Sequence, residues 1–159
     1  GELAVVIGRG GRHIAVDDAM GHVLGYTCFM DGSVRDYQRH AVTPGKNFWR
    51  SGAMGPWIVT ADQVPAIGSA GLRTVLNGAM VQAASMDLMV HTVAELIAYC
   101  SQWTPLAPGD VIATGTPAGI GSRRQPPLWM KRGDVLEVRI EGVGVLANPV
   151  VDEADVLGP

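Results

Sequence analysis

The apolar residues of this chain come in short runs, and glycine or proline interrupts nearly every one of them. With 21 glycines and 10 prolines spread over 159 residues, few stretches can close several helical turns before a breaker arrives. Runs of roughly four to eight residues bounded by turn formers suit strands instead. Strands are therefore expected over residues 3–7, 23–30, 57–60, 72–76, 79–83, 110–113, 135–140 and 145–151, giving a mixed, β-rich α+β domain. Two connections carry their own turn chemistry. Asn77-Gly78 separates two apolar runs and suits a hairpin turn whose two central residues need positive φ. Glu141-Gly142 follows a stretch in which Leu136, Val138 and Ile140 alternate with Glu137 and Arg139, the period of a strand with one buried face.

One segment has a helical period. Met86, Met89, Val90, Val93, Leu96, Ile97 and Cys100 recur every three or four residues, which predicts one main amphipathic helix over 86–100. Ser85 would be its N-cap, Asp87 would sit in its first turn, and Thr104-Pro105 would close it. His91 would lie on that helix, where a packed histidine is commoner than a ligand. A shorter helical turn is expected over 33–39, with Asp31, Arg35 and Gln38 on one face. From spacing alone, the plainer of two readings is a solvated face with an Asp–Arg pair; the other is a functional face.

Composition excludes several classes. Hydrophobic residues make up 47% and charged residues 17%, which favours a packed core over disorder, and the length is that of one domain. The net charge is −3 and no Lys/Arg cluster exceeds a pair, so nucleic acid is not the expected partner. No apolar run approaches the roughly 18 residues of a membrane span, and no signal-like start is present. A cytoplasmic protein with no membrane partner is expected, with Cys28 and Cys100 as reduced thiols. Gly1-Glu2 leads straight into an apolar run without an initiator Met, so further residues are expected to precede it in the full protein.

Glu2 and Asp31 are candidate ligands for a hard divalent cation, which takes carboxylates from separate segments. The loop Thr114-Gly115-Thr116-Pro117-Ala118-Gly119 follows an expected strand; its glycines permit close backbone approach and its hydroxyls can bond a carboxylate. Each has a plainer alternative: two carboxylates are not a site, a Gly/Thr turn is often a surface turn, and most loop lysines such as Lys46 are simply solvated. There is no phosphate loop, no Gly-x-Ser-x-Gly elbow and no zinc motif. Metal-assisted carboxylate chemistry is the main enzymatic option left.

The order of the motifs adds a resemblance. Glu2-Leu3-Ala4-Val5-Val6-Ile7-Gly8, Gly25-Tyr26-Thr27, Asp31-Gly32-Ser33-Val34-Arg35-Asp36-Tyr37-Gln38 and Gly45-Lys46-Asn47-Phe48 come first. Met54-Gly55-Pro56-Trp57, Asn77-Gly78, Gln82, Leu106-Ala107-Pro108-Gly109-Asp110, Thr114-Gly115-Thr116-Pro117-Ala118-Gly119 and Gly133-Asp134 follow. As an ordered set they resemble the fumarylacetoacetate hydrolase family along nearly the whole chain. The resemblance implies a β-sandwich roll, usually homodimeric, with Mg²⁺, or alternatively Mn²⁺ or Ca²⁺, in a cleft. In that family a Glu-x-Glu pair and a later Asp hold the metal; Glu2 matches the second Glu and Asp31 the Asp. Arg35 and Gln38 match a substrate-contacting pair, Lys46 the active-site lysine, and Thr116 the substrate-binding threonine.

The first Glu of the pair would fall just before Gly1, as would the N-terminal lid whose His-Glu pair activates water in several members. Met30 stands where the family often has Asn. Residues 1–159 thus read as one catalytic domain without its lid. The implied activity is metal-dependent C–C bond hydrolysis of an acylpyruvate-type keto acid of the kind formed in aromatic catabolism. The alternatives are isomerisation or decarboxylation of a hydroxymuconate-type dicarboxylic acid, or a catalytically silent metal-binding relative. Trp49, Met54 and Trp129 are candidates to shape the acyl pocket, although core packing is the commoner role for each.

Overall fold

Two antiparallel sheets of four strands carry the fold of the computed structural model, which describes residues 1–157. Residues 158–159, the end of a C-terminal tail without a recognisable motif, lie outside the described residues. In chain order the elements are β1 (Glu2–Ile7), α1 (Val16–Ala19), β2 (Val23–Met30), β3 (Ala53–Thr60), β4 (Gly71–Leu76), β5 (Ala79–Ser85), α2 (Val93–Trp103), β6 (Val111–Ala113), β7 (Val135–Ile140), β8 (Gly144–Pro149) and α3 (Glu153–Leu157). The first sheet runs β3-β2-β1-β6 and the second β5-β4-β7-β8. This is the β-rich α+β sandwich roll that the sequence led us to expect.

β1 is buried at all six positions, as a continuous apolar run is when both faces are covered. Leu3, Val5 and Ile7 share a core with Tyr26 and Cys28 of β2 and with Leu72, Val138, Ile140 and Leu146 of the second sheet. Each such side chain contributes about 1.5–3 kcal/mol by leaving water. The alternation read in β7 holds: Leu136, Val138 and Ile140 are buried, while Val135 and Arg139 are exposed and Glu137 half-buried. Trp57 Nε1 of β3 donates to Val143 O beside β8 at 2.7 Å, stitching the sheets together at their edge. Asn77 (φ 51°) and Gly78 (φ +81°) make the expected tight turn between β4 and β5. Both cysteines are free, and burial pushes the Cys28 thiol pKa up. No helix among the described residues is long and apolar enough to cross a membrane.

Three expectations are corrected. The main helix begins at Val93, not at 86: Thr92 Oγ1 accepts from Glu95 N at 3.2 Å while the Glu95 carboxylate accepts from Thr92 N at 2.7 Å. That reciprocal box satisfies two otherwise orphaned helix donors, so the helix starts there. Residues Met86–Leu88 form a single 3-10 turn; Ser85 ends β5 and makes no cap, and His91 lies exposed before the helix. Met86 is buried in the core without belonging to the helix, so tertiary packing produced the apolar period there.

The second correction concerns the turn expected over 33–39, which is a 3-10 turn of Arg35–Gln38 only. Asp31 lies outside it and pairs with Lys46, not with Arg35. Finally, β3 begins at Ala53, four residues before the expected start, and runs through Pro56. It is an edge strand, where a missing N–H need break no ladder bond.

Candidate functional site

The register of the first sheet gathers several polar groups at one end. Glu2 opens β1 opposite Phe29 of β2, and Asp31 follows two residues beyond Phe29. On the other side of β1, Ala4 pairs with Ala113 at the end of β6, so the 114–119 loop departs beside Leu3 and Glu2. Thr114 N and Oγ1 both donate to Leu3 O, at 3.1 and 3.0 Å. The next amide, Gly115 N, donates to Glu2 Oε2 at 2.9 Å.

Gln82 of β5 ties this end of the sheet to the loop. It is buried; its Oε1 accepts from Gly1 N at 2.7 Å, and its Nε2 donates to Thr116 Oγ1 at 2.8 Å and to Pro117 O at 2.9 Å. Thr116 Oγ1 in turn donates to Gly1 O at 2.9 Å, which commits its hydroxyl hydrogen to the protein. Arg124 secures the far end of the loop: Nε donates to Gly119 O at 3.0 Å and Nη2 to Val81 O. Gly119 has φ +106°, and a Cβ there would stand 2.3 Å from Val81 O, so only glycine fits.

The segment after β2 is organised differently. The Lys46 ammonium pairs with Asp31 Oδ2. Arg35 Nη1 donates to Gln38 Oε1 at 2.8 Å, a reach that the near-eclipsed i, i+3 positions of a 3-10 turn favour. Gln38 Nε2 then donates to Val42 O at 3.2 Å. Four of the predicted site residues are therefore in contact, Asp31 with Lys46 and Arg35 with Gln38. Glu2 and Thr116 are joined through the loop, Thr116 sharing Gln82 with Gly1. A cavity of about 230 Å³ is lined by Gly1, Asp31, Arg35, Gln82 and Arg124, among others, linking the two groups.

Trp129 lines this cavity, and Trp49, Met54 and Trp129 are all exposed, so none serves the core-packing role. Sequence reasoning placed Gln82 in the motif order without a role and saw Arg124 only as half of a basic pair. A buried glutamine in a strand was the one available signal, because its partners lie 34 to 81 residues away.

Charge tells what this end can hold. Glu2 is 4% exposed. The carboxylate accepts from Gly115 N but has no Lys or Arg partner among the described residues; a buried carboxylate so placed is costly, so a cation beside Glu2 fits. Asp31 already has one cation, the ammonium of Lys46. Two hard-oxygen carboxylates on separate segments match a magnesium-like ion better than zinc. Among the described residues no third His, Cys, Asp or Glu joins them, which leaves coordination to other oxygens.

Fold and site together define a double-sheet roll with a polar, loop-rimmed cavity at one end of its central strands. The chain belongs to the fumarylacetoacetate hydrolase family: the family described as Fumarylacetoacetate (FAA) hydrolase C-terminal matches residues 1–151. It is 43% identical over 154 residues to the human protein named Oxaloacetate tautomerase FAHD2A, mitochondrial, covering 94% of this chain and 49% of that protein. Among solved structures it is similar to fumarylacetoacetate hydrolase from psychrophilic Exiguobacterium antarcticum, with TM-score 0.92 and 38% identity over 96% of this chain and 55% of that one. Fumarylpyruvate hydrolase from Pseudomonas aeruginosa, in complex with Mn²⁺ and pyruvate, matches with TM-score 0.87 and 34% identity over 96% of this chain and 64% of that one. The chain thus spans about half the length of the curated relatives it matches.

Proposed function

We propose that residues 1–159 are the catalytic domain of a divalent-metal-dependent enzyme of small 2-oxo acids, and that its reaction is keto–enol interconversion. The observation that carries this reading is that buried Glu2, with no Lys or Arg partner among the described residues, and the Asp31–Lys46 pair stand at the same end of the first sheet. Glu2 and Asp31 would hold Mg²⁺ or Mn²⁺, which supplies a Lewis acid for the paired oxygens of a 2-oxo acid. Lys46 brings a fixed positive charge to the enolate oxygen as the proton leaves the enol hydroxyl and another reaches the neighbouring carbon. Arg35 and Gln38 would orient the substrate, and Thr116 would bind its carboxylate by exchanging its bond to Gly1 O for one to the substrate. The name of the human relative supports tautomerisation.

Hydrolysis of a C–C bond in an acylpyruvate is the second reading, supported by the likeness to the fumarylpyruvate hydrolase. Assembly as a homodimer, residence in the cytoplasm and a separate lid are proposals that rest on the family resemblance, and the mitochondrial name of the human relative offers a competing compartment. The test follows the enol absorbance of oxaloacetate and of acetylpyruvate with full-length protein, with and without Mg²⁺ or Mn²⁺. Metal-dependent loss of the oxaloacetate enol, with no cleavage of acetylpyruvate, is expected. Acetate and pyruvate formed from acetylpyruvate would establish the hydrolase instead. No metal-dependent change in either would sink both readings in favour of a silent relative.

A further inference from the structure

Gln82 belongs to the motif order and lines the cavity beside Gly1, yet the proposed function leaves it without a task. A glutamine only 6% exposed must find protein partners for its carbonyl oxygen and for its NH2 group. The chemistry of those partners fixes which way the amide faces. Pro117 O only accepts, so the atom 2.9 Å from it is the NH2 nitrogen. Gly1 N donates, so the atom 2.7 Å from it is the carbonyl oxygen. Both conditions select the same orientation.

That orientation dictates what Thr116 can do. Gln82 Nε2 has two hydrogens; one goes to Pro117 O and the other, at 2.8 Å, to Thr116 Oγ1. Thr116 Oγ1 is therefore an acceptor toward Gln82, and its single hydrogen is directed elsewhere, to Gly1 O at 2.9 Å. Thr116 is exposed, so its hydroxyl is open to a ligand although Gln82 behind it is buried. A substrate carboxylate can take the hydrogen without the oxygen moving, because the bond from Gln82 persists through the exchange. A bond between neutral groups is then traded for one to an ion, which is stronger. Donation from Gln82 also polarises the hydroxyl and makes it the better donor.

We propose that Gln82 is a positioning residue for the substrate: it holds Thr116 Oγ1 in place and leaves its hydrogen free to pass from Gly1 O to the substrate carboxylate. This inference rests on the proposed role of Thr116. Gln82 makes no bond to Glu2 or Gly115, so the metal end of the site is held separately, through Gly115 N and the Glu2 carboxylate.

A double-mutant cycle on the full-length protein tests it, with calorimetric affinity of the Mn²⁺-loaded form for pyruvate as the readout. Thr116→Val and Gln82→Met are each expected to weaken pyruvate binding about tenfold, the size of one bond to a charged group. The double variant is expected to match Thr116→Val alone, because Gln82 acts through that hydroxyl. Mn²⁺ titrated into the metal-free variants should bind as it does to the wild type. Unchanged pyruvate binding in Gln82→Met overturns the inference. Losses that multiply in the double variant, or weakened Mn²⁺ binding in Gln82→Met, make Gln82 a general strut of the loop and overturn it equally. Gln82→Glu keeps the side-chain length and the acceptor for Gly1 N, but replaces the donor with an acceptor that captures the Thr116 hydrogen. It carries the same cycle where Gln82→Met does not fold: its loss of pyruvate affinity must shrink in the Thr116→Val background, and an undiminished loss overturns the inference. Pyruvate binding that is absent from the wild type, or intact in Thr116→Val, overturns the proposed role of Thr116 and this inference with it.

Discussion

The two halves of the candidate site are built on opposite principles. On one side, Glu2, Gly115, Thr116 and Gln82 belong to strands or to a loop pinned to strands, and nearly every polar atom named there is bonded to another part of the backbone. On the other, Arg35, Gln38 and Lys46 sit on two 3-10 turns and Asp31 on the irregular segment before them; Arg35 and Lys46 are exposed, and the side chains bond mainly to each other. The sheet side cannot rearrange without loosening the core. The turn side exchanges partners cheaply, because exposed ion pairs contribute little to stability. Under the proposed function the cation would draw Glu2 from the pinned half and Asp31 from the other, so its binding would tie the two together.

The sharpest way to break this comparison is Asp31→Ala. Changes to groups that merely support a metal ligand cost about 10–100-fold in affinity, so loss of this carboxylate is expected to exceed about a hundredfold, read by calorimetry with Mg²⁺ or Mn²⁺. Because Asp31 lies in the turn segment, the melting temperature of the metal-free protein should hold. Unchanged metal affinity would remove Asp31 from the site, and a collapse of the fold would erase the distinction between the halves.

Lys46→Met comes next. Removing one preorganised charge from a developing oxyanion typically costs about 10²–10³ in kcat, and KM should change far less because the charge it holds appears in the transition state. Steady-state kinetics on the enol substrate decide this. A raised KM with kcat intact would make Lys46 a ground-state binder.

Smallest, and opposite in kind, is Gln82→Ala on the sheet side. It leaves Gly1 N, Thr116 Oγ1 and Pro117 O without their buried partner. Each such loss costs about 1–3 kcal/mol, and a total near 3 kcal/mol corresponds to a fall of about 6–12 °C in Tm for a domain of this size. Thermal unfolding of the metal-free protein that matches the wild type would show the pinned half to be no stiffer than the other.

Legibility in the sequence follows the same division. Alternation in β7 and the Asn77-Gly78 turn are local signals, and both hold in the structure. The Thr92-x-x-Glu95 box sets the start of the helix, whereas the apolar recurrence of Met86, Met89 and Val90 pointed to a start at 86. Met86 is apolar because the core needs it there, and periodicity cannot distinguish that from a helix face. Pro56 concealed the first half of β3 because nothing in the sequence says which strands lie at an edge. For the site, motif order named Glu2, Asp31 and Lys46, and the structure brings Asp31 and Lys46 into contact. The placing of Asp31, Arg35 and Gln38 on one helical face assumed a helix that does not extend back to Asp31.

The bond from Gly115 N to Glu2 Oε2 joins residues 113 apart, and the one from Thr116 to Gly1 joins residues 115 apart. On a ribosome, Glu2 emerges long before the loop that completes its surroundings has been translated. Contacts of such long range close late, after the slower steps of pairing distant strands. A half-made chain therefore offers a ligand nothing to grip, and occupancy of the site reports that both sheets have come together. Mass action would then work in the chain's favour: a ligand that recognised only the closed form would withdraw it from the unfolding equilibrium.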